Sequence, residues 1–298
     1  MSSFKFVKRF DEMLSKMAPY MSSTVGKGRI AFGDMWEESF DDTLQHLFRD
    51  QSRMENAIEG YIRFALEATR LQKRFEKERR YILKSYQEAA ETVYHNEAYM
   101  LNLYLPGILL SHYLWPHHYR QLRYFHDNFV PRVLAGADHS FCDVGVGSGF
   151  YSRQLLSASP ASTGIAFDIS TFAQNYAQRQ VAAFGQLHRW QCKLQNVLTE
   201  IPEQTWSVLM SVEVLEHLED PVSFLHQLRR MLRKGGVGFI TAALTAPNED
   251  HIYLYSCVDD ISFQLRAVGF EIICFRTERA YEPLVDEPVP QIAAFIVQ

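Results

Sequence analysis

The chain has 298 residues with 30 basic and 35 acidic side chains, and its sequence pI is about 6.1. This length is long for one domain and comfortable for two, with ample apolar residues for a buried core. The near balance of charge excludes a polycation that coats nucleic acid, although it is compatible with a local basic stretch.

The N-terminal region predicts neither a secretory leader nor a membrane span. Its first ten residues are mixed polar and contain no apolar core. The most apolar stretch, residues 98–115, is interrupted by Asn102, a Pro-Gly pair and His112, which favours a buried helix. The four cysteines form no Cys-x-x-Cys pair, so free thiols in a reducing compartment are favoured over a disulfide or a zinc site. We therefore expect a cytoplasmic protein.

Residues 1–120 predict an all-α region. Residues 35–48 have the composition of a helix, and residues 61–105 contain neither glycine nor proline. Apolar side chains recur there at helical spacing, which predicts one very long helix or two helices joined without a strong breaker. Residues 70–80 carry charge on all sides of this helix. A solvated helix face is the favoured interpretation, because glutamates dilute the basic charge, and an RNA-binding surface is the alternative.

From residue 139 onward, short apolar runs alternate with helical stretches, which predicts a parallel sheet with helices on both faces. The last two runs follow each other without a helix between them, and this favours an antiparallel final strand. The predicted strands lie near 139–143, 162–168, 187–193, 206–212, 236–243, 270–276 and 291–297. The predicted helices lie near 150–158, 171–184, 221–233 and 258–268.

A glycine loop follows the first predicted strand, with the pattern D-x-G-x-G-x-G. Glycines allow positive φ and close approach of a ligand to the backbone, and the helix that follows aims free N–H groups at that ligand. A dinucleotide fingerprint requires glycine at the position of Phe150, so a nicotinamide dehydrogenase is disfavoured. The predicted cofactor residues of the loop are Asp143, Gly145, Gly147 and Gly149.

Other strand ends belong to the same predicted site, because ligands of open parallel sheets bind beyond the carboxyl ends of the strands. The second predicted strand ends at Asp168, whose carboxylate is suited to bind both hydroxyls of a ribose. A helix N-cap is the alternative role for this side chain. The fourth strand ends in the string S-V-E-V-L-E-H-L-E-D-P at 211–221, and L-R-K-G-G at 232–236 leads into the fifth.

The glycine loop, the acidic strand end and these two strings resemble the class I S-adenosylmethionine (SAM) methyltransferases. They resemble the small-molecule type, including the ubiquinone-biosynthesis O-methyltransferase group. The resemblance covers residues 139–298 and implies an α/β, Rossmann-like, seven-stranded sheet and a SAM cofactor. It further implies adenine contacts from Asn196, where many members carry Asp, and from the backbone N–H of Val197. It also adds Ile169 and Ser211 to the cofactor site.

Two glutamates and two histidines near the fourth and fifth strand ends are candidate catalytic or metal-binding residues: Glu213, Glu216, His217 and His251. The set is similar to the E-x-x-E-H…H pattern of small-RNA 3′-terminal 2′-O-methyltransferases, in which it holds a divalent metal. Without a metal, His217 or His251 is the general-base candidate, because imidazole titrates near neutral pH. Glu213 then lies near the methionine part of SAM, and Glu216 and His217 cap or orient the loop.

An aromatic segment at residues 113–125 connects the two halves. In the family that the chain resembles, the segment before the first strand often packs over the cofactor. The resemblance therefore implies that Tyr119 covers the sulfonium, with packing in the core as the alternative. His117 and His118 line the acceptor pocket in this interpretation, and a structural role is the alternative for each.

These observations predict an enzyme that transfers a methyl group from SAM to an oxygen or nitrogen atom of a small molecule. Residues 121–298 form the methyltransferase domain, and residues 1–120 serve as an acceptor lid, as a homodimer interface or as both. The alternatives are a metal-assisted RNA ribose 2′-O-methyltransferase and a non-catalytic SAM-binding protein. Net acidity and the lack of a recognisable RNA-binding module argue against nucleic acid as a partner.

Overall fold

The computed structural model of the chain describes residues 4–82, 85–283 and 287–298. Within these residues, the N-terminal half is helical, as the sequence predicts, and its last helices run directly into the sheet. Its α-helices are α1 (Lys5–Met17), α2 (Thr24–Phe32), α3 (Asp34–Leu47), α4 (Gln51–Glu78), α5 (Tyr86–Ala89), α6 (Glu97–Tyr99), α7 (Leu105–Leu114), α8 (Pro116–Tyr124) and α9 (Val130–Ala135). Short π-helical turns join α6 to α7 and α8 to α9.

The stretch without glycine or proline is divided into several helices. Helix α4 begins after Asp50, whose side chain accepts a hydrogen bond from the backbone N–H of Arg53. It ends after Glu78, because Arg79 takes a left-handed conformation with φ of 56° and donates its N–H to the carbonyl of Phe75. No glycine marks this helix end in the sequence. Residues 83 and 84 lie outside the described part of the stretch.

The C-terminal half forms a seven-stranded sheet in the order β3-β2-β1-β4-β5-β7-β6. Strand β7 runs antiparallel to both of its neighbours, and the pairs among β1 to β5 are parallel. This confirms the predicted fold class. The strands are β1 (Ser140–Val144), β2 (Thr163–Asp168), β3 (Trp190–Leu194), β4 (Trp206–Ser211), β5 (Leu232–Leu244), β6 (Ile272–Arg279) and β7 (Gln291–Val297). The helices between them are α10 (Phe150–Ala158), α11 (Thr171–Ala183), α12 (Pro221–Met231) and α13 (Val258–Ala267).

Strand β5 begins earlier than the sequence predicts. Leu232 already pairs with Trp206, and the register then shifts before Val237 pairs with Val208. Gly235 allows this irregularity with a φ of 78°. The resemblance to the methyltransferases implies a turn at 232–236 instead, with the fifth strand predicted near 236–243.

The helical region and the sheet share a continuous hydrophobic core. Phe125 and Phe129 pack against Phe239 of β5, with ring centroids 5.2 Å and 5.4 Å apart. The predicted division between residues 120 and 121 falls inside α8. No helix within the described residues is long and apolar enough to cross a membrane. The cysteines are free thiols, of which Cys257 is exposed.

Candidate active site

The glycine loop joins β1 to α10, and its three glycines take positive φ angles of 77°, 51° and 79° at positions 145, 147 and 149. A Cβ atom on Gly145 would lie 2.5 Å from Val214 Cγ2, and one on Gly149 would lie 2.8 Å from Ala177. Packing therefore requires both of these glycines. A Cβ on Gly147 would meet no atom within 4 Å, because this residue faces the cavity. The loop is thus closed on its protein side and open toward a ligand.

The carboxylate of Asp168 lies beside this loop at the end of β2. Its Oδ2 accepts a hydrogen bond from the N–H of Gly147 at 3.0 Å, and its Oδ1 accepts one from the N–H of Ser170 at 2.8 Å. The cap of α11 is Ser170, whose Oγ accepts from the N–H of Ala173. Asp168 therefore does not cap this helix. Burial raises its pKa, and the hydrogen bonds from the backbone oppose that shift.

The carboxyl of Asp143 lies beneath the loop in a fully buried position. Its Oδ2 accepts a hydrogen bond from Ser152 Oγ at 2.7 Å, and Ser152 Oγ accepts one from Trp190 Nε1 at 3.1 Å. Burial raises the pKa of Asp143 to about 7, against the opposing effect of the Ser152 hydrogen bond. The sequence predicted Asp143 but not the two residues that hold it.

A cavity of about 1230 Å³ opens at the carboxyl ends of the strands and extends into the helical region. Asn196 lines it and also closes a turn, since its Oδ1 accepts from the N–H of Leu198 at 2.9 Å. Ser211, in contrast, is fully buried and is absent from the described wall, which its neighbour Val212 lines. The predicted cofactor residues on this wall are Asp143, Gly145, Gly147, Asp168, Ile169, Asn196 and Val197.

Tyr119 does not stand over the cofactor side of the cavity. Its ring is 3% exposed and packs against Phe32 and Tyr113, with centroids 4.6 Å and 6.3 Å apart. The predicted contact with the sulfonium is therefore corrected to a place in the helical core, and Tyr119 is absent from the described cavity wall. The neighbouring His117 and His118 line the cavity, and their part in an acceptor pocket stays a prediction.

Aromatic side chains from α4, from α8 and from the residue between α7 and α8 form the far wall of the cavity. Trp115 stacks on Phe64 of α4 at 5.4 Å and on His117 of α8 at 5.8 Å, with interplanar angles of 21° and 14°. The sequence did not predict this wall, because Phe64 lies 51 positions from Trp115 and they meet only after packing of α4 against α7. The wall offers flat apolar surface to a ligand.

Glu213 follows β4 in a left-handed conformation, with φ of 54°. Its N–H donates to Thr241 Oγ1 at 2.9 Å, and that hydroxyl donates to Glu213 Oε1 at 2.5 Å. Burial raises its pKa well above the ordinary value, and the charge of Glu216 acts in the same direction. A non-glycine residue held at positive φ beside a cavity is a strained position of the kind found at functional sites.

Glu216, His217 and His251 bring one potential ligand atom each within 4.8 Å of one another. Glu216 is fully buried, and neither of its carboxylate oxygens has a hydrogen-bond partner among the described residues. His251 Nδ1 lies 2.6 Å from the carbonyl of Ala246. A carbonyl only accepts, so Nδ1 carries the proton and Nε2 keeps its lone pair. Glu213 is not part of this group of converging ligand atoms.

His217 is held by residues that the sequence did not single out. Its Nδ1 lies 3.1 Å from Asp250 Oδ2, an oxygen that also accepts from Tyr104 at 2.5 Å and from Tyr94 at 3.3 Å. Burial alone lowers the pKa of His217, but the charge and hydrogen bond of Asp250 raise it to about 9. The neighbouring carboxylate thus favours the charged form of the ring, and a general-base role of His217 stays a prediction.

Three comparisons with known proteins bear on this site. Residues 142–237 match a family model described as a methyltransferase domain. The ubiquinone biosynthesis O-methyltransferase of Nitrosomonas europaea is 27% identical over 133 residues, which cover 44% of this chain and 54% of that protein. The tRNA U34 carboxymethyltransferase of Alteromonas mediterranea is 30% identical over 164 residues, 49% of each protein. The chain thus spans about half the length of these two relatives.

A solved structure shows the same fold over more of the chain. The O-methyltransferase family protein from Burkholderia thailandensis matches with a TM-score of 0.51 at 12% identity, covering 81% of this chain and 71% of that one. At this level of identity the likeness concerns the fold. Residues 139–298 make up little more than half of the chain, whereas the match covers 81% of it. The likeness therefore includes part of the helical region.

Proposed function

We propose that this chain, whose residues 142–237 match a family model described as a methyltransferase domain, is a class I SAM-dependent enzyme that transfers a methyl group from SAM to an oxygen or nitrogen atom of a small molecule. One observation carries the proposal: a single cavity joins the open face of Gly147 to the aromatic wall of the helical region. Its volume of about 1230 Å³ exceeds the roughly 300–1,000 Å³ of a typical ligand pocket. It therefore has room for SAM and for a second molecule beside it.

The residues of the chain act by binding and alignment. When bound, SAM supplies a methyl group that is already activated on a sulfonium. The open face of the glycine loop at Gly147 and the carboxylate of Asp168 suit the cofactor, and we assign Asn196 and Val197, which line the same cavity, to the adenine. The helices over the cavity exclude water and hold the acceptor in line with the methyl group, which lowers the entropic part of the barrier.

Calorimetry on paired glycine variants tests cofactor binding. Gly147 and Gly185 both take positive φ, and at each of them an added Cβ would have no atom within 4 Å, but Gly185 is absent from the described cavity wall. Gly147→Ala and Gly185→Ala should each cost about 1–2 kcal/mol of stability from backbone strain. Only Gly147→Ala should weaken SAM binding, by at least tenfold. Equal SAM affinity in both variants, or preference of the wild type for NAD over SAM, contradicts the proposal.

Metal assistance is a second candidate, favoured by the orphaned carboxylate of Glu216. Glu216, His217 and His251 fit a divalent ion, because their ligand atoms converge and two imidazoles with a carboxylate suit Zn²⁺ or Mn²⁺. A bound ion would lower the pKa of an acceptor hydroxyl. Titration with Mn²⁺, followed by electron paramagnetic resonance, should show one site that Glu216→Gln removes and that the exposed Glu200→Gln retains. Full activity and unchanged SAM binding after exhaustive chelation eliminate this candidate.

The RNA alternative depends on the same metal group and on the basic face of α4. Several arginines of that face are paired with glutamates, among them Arg70 with Glu249 at 3.0 Å and Arg74 with Glu78 at 2.7 Å. This pairing reduces the positive field available to a phosphate backbone. RNA binding that weakens steeply with salt would favour the alternative.

A cytoplasmic location and a homodimer through the N-terminal helices stay predictions. Light scattering of the purified chain would measure its oligomeric state.

A further inference from the structure

Three histidines of the helical region stand together on the cavity wall. The rings of His117 and His118 are 4.5 Å apart, and that of His112 is 5.7 Å from His118. None of them forms an ion pair with an acidic group among the described residues. Burial lowers the pKa of each ring, to about 3 for His118, so the group is neutral at physiological pH. It offers lone pairs and N–H groups to a ligand rather than positive charge.

The hydrogen bonds of Ser111 fix the proton of His118. Ser111 Oγ donates its only proton to the carbonyl of Ile108 at 2.8 Å, and the same oxygen lies 3.0 Å from His118 Nδ1. Because the hydroxyl proton already forms the hydrogen bond to the Ile108 carbonyl, Nδ1 of His118 must donate the proton in its hydrogen bond with Ser111 Oγ. Nε2 of the neutral ring therefore carries a lone pair. Among the described residues, Nε2 has no hydrogen-bond partner, and it is not one of the polar atoms that are closed off from solvent. It therefore faces the cavity that His118 lines.

The histidine group adjoins the glycine loop. His112 lies between His118 and Phe150, and its ring stacks on that of Phe150 with centroids 4.1 Å apart at 14°. Phe150 is the first residue of α10, directly after Gly149. His118 thus lines the same cavity as the glycine loop. The aromatic wall of Phe64, Trp115 and His117 borders the same space.

We propose that His118 is a catalytic residue that accepts the proton of the acceptor hydroxyl, and that the acceptor is a flat, hydroxylated and otherwise apolar ring compound. The proposal rests on the proposed methyl transfer and specifies oxygen as the accepting atom. His118 comes from the helical region, outside residues 142–237 that match the methyltransferase family model.

The step balances with these groups alone. The hydroxyl oxygen forms a bond to the methyl carbon, the carbon–sulfur bond breaks with its electron pair left on sulfur, and the hydroxyl proton passes to Nε2 of His118. The products are a methyl ether, a neutral thioether and an imidazolium, so one positive charge moves from sulfur to the imidazole. The weak basicity of a buried imidazole suffices, because an oxygen that has begun to bond to the methyl group is a strong acid.

A binding cycle tests the contact without turnover. 4-Nitrophenol and 4-nitroanisole have the same ring, but only the first has a hydroxyl. In the presence of S-adenosylhomocysteine and at about pH 5.5, where 4-nitrophenol keeps its proton, the wild type should bind the phenol about three- to tenfold more tightly than the ether, the worth of one hydrogen bond. His118→Phe keeps a ring of similar shape and should abolish this difference. The exposed His188→Phe should retain it.

Two measurements separate failure of this inference from failure of the proposed function. The wild type and His118→Phe should bind S-adenosylhomocysteine with the same affinity. If the wild type does not bind S-adenosylhomocysteine, the proposed function itself is wrong. Nitrogen-15 spectra of histidine-labelled wild type should show His118 protonated on Nδ1, and Ser111→Ala should allow the other tautomer. An unchanged phenol preference in His118→Phe, or a wild-type ring protonated on Nε2, overturns the role of His118.

Discussion

At the residue scale, the glycine loop depends on a carboxyl group that the fold keeps away from water. Asp143 is buried beneath the loop, where Ser152 and Trp190 connect it to α10 and β3. Its hydrogen bonds hold the loop at the end of β1, but its burial disfavours the charged form. The position therefore couples the stability of the chain to pH.

We predict that Asp143→Asn removes a pH-dependent loss of stability. The folded pKa of about 7 lies above the ordinary 3.8, so the unfolded chain loses this proton first as pH rises. The wild type should lose up to about 1.4 kcal/mol per pH unit from this group between pH 4 and 7. Urea denaturation at pH 4.5, 6 and 7.5 measures the free energy of unfolding of the wild type and of the variant. As pH rises, the stability of Asp143→Asn relative to the wild type should increase. A constant difference, like that expected for the exposed Asp259→Asn, contradicts the prediction.

The buried histidines of α7 and α8 have the opposite dependence. The pKa of His118 falls to about 3 in the folded chain, below its ordinary 6.5, because burial opposes the charge. Its contribution to stability is complete above pH 6.5 and is lost as pH falls below that value, by about 1.4 kcal/mol per unit. Denaturation between pH 7 and 5 should therefore show a smaller acid-induced loss for His118→Phe than for the wild type. Equal slopes would show that His118 is protonated in the folded chain.

The sequence predicted the site where residues are neighbours along the chain. The glycine loop and Asp168 belong to short motifs, so their chemistry was visible before the fold. Asp250 and Tyr104 were not predicted, because their contact joins positions 146 apart. Tyr119 was placed wrongly for a related reason: a helix position reveals its face only after the neighbouring helices are packed around it.

At the element scale, α4 and α7 approach closely enough to form the aromatic wall because glycines lie at their crossing. A Cβ on Gly107 would lie 2.5 Å from Phe64 Cβ, and one on Gly60 would lie 2.5 Å from the carbonyl oxygen of Asn102. The alternation of apolar runs predicted the sheet because strand periodicity is local. The end of α4 and the start of β5 were not predicted, since an αL arginine and a register shift depend on tertiary context.

We predict that Gly107→Ala costs about 1–3 kcal/mol, the usual cost of an overpacked contact. It should also weaken binding of 4-nitrophenol, because Phe64 lines the cavity and must shift. Gly26 of α2 is a matched control, since its Cβ position has no atom within 4 Å. Gly26→Ala should stabilise the chain by up to about 1 kcal/mol through helix propensity. Equal stability of the two variants in urea would contradict a close helix crossing.

At the scale of the whole molecule, the helical region and the sheet share one hydrophobic core, from which we expect a single cooperative unit. The π-helical turn Phe125–Phe129 places two phenylalanines on β5, and the main core cluster contains residues from α1 to β7. The cavity depends on both halves, because the glycine loop forms one side and α4, α7 and α8 form the other. Loss of the interface should therefore abolish cofactor and acceptor binding together.

We predict that Phe129→Ala lowers the free energy of unfolding by about 3–5 kcal/mol, as for other buried phenylalanines, and lowers it equally for both halves. Hydrogen exchange at increasing denaturant should show amides of α3 and of β4 losing protection in the same transition, in the wild type and in the variant. A shared core requires this result, because exposing Phe129 also exposes Phe239. A variant in which α3 loses protection while β4 keeps it would indicate two independently stable domains, and the helical region would then act as a separable lid.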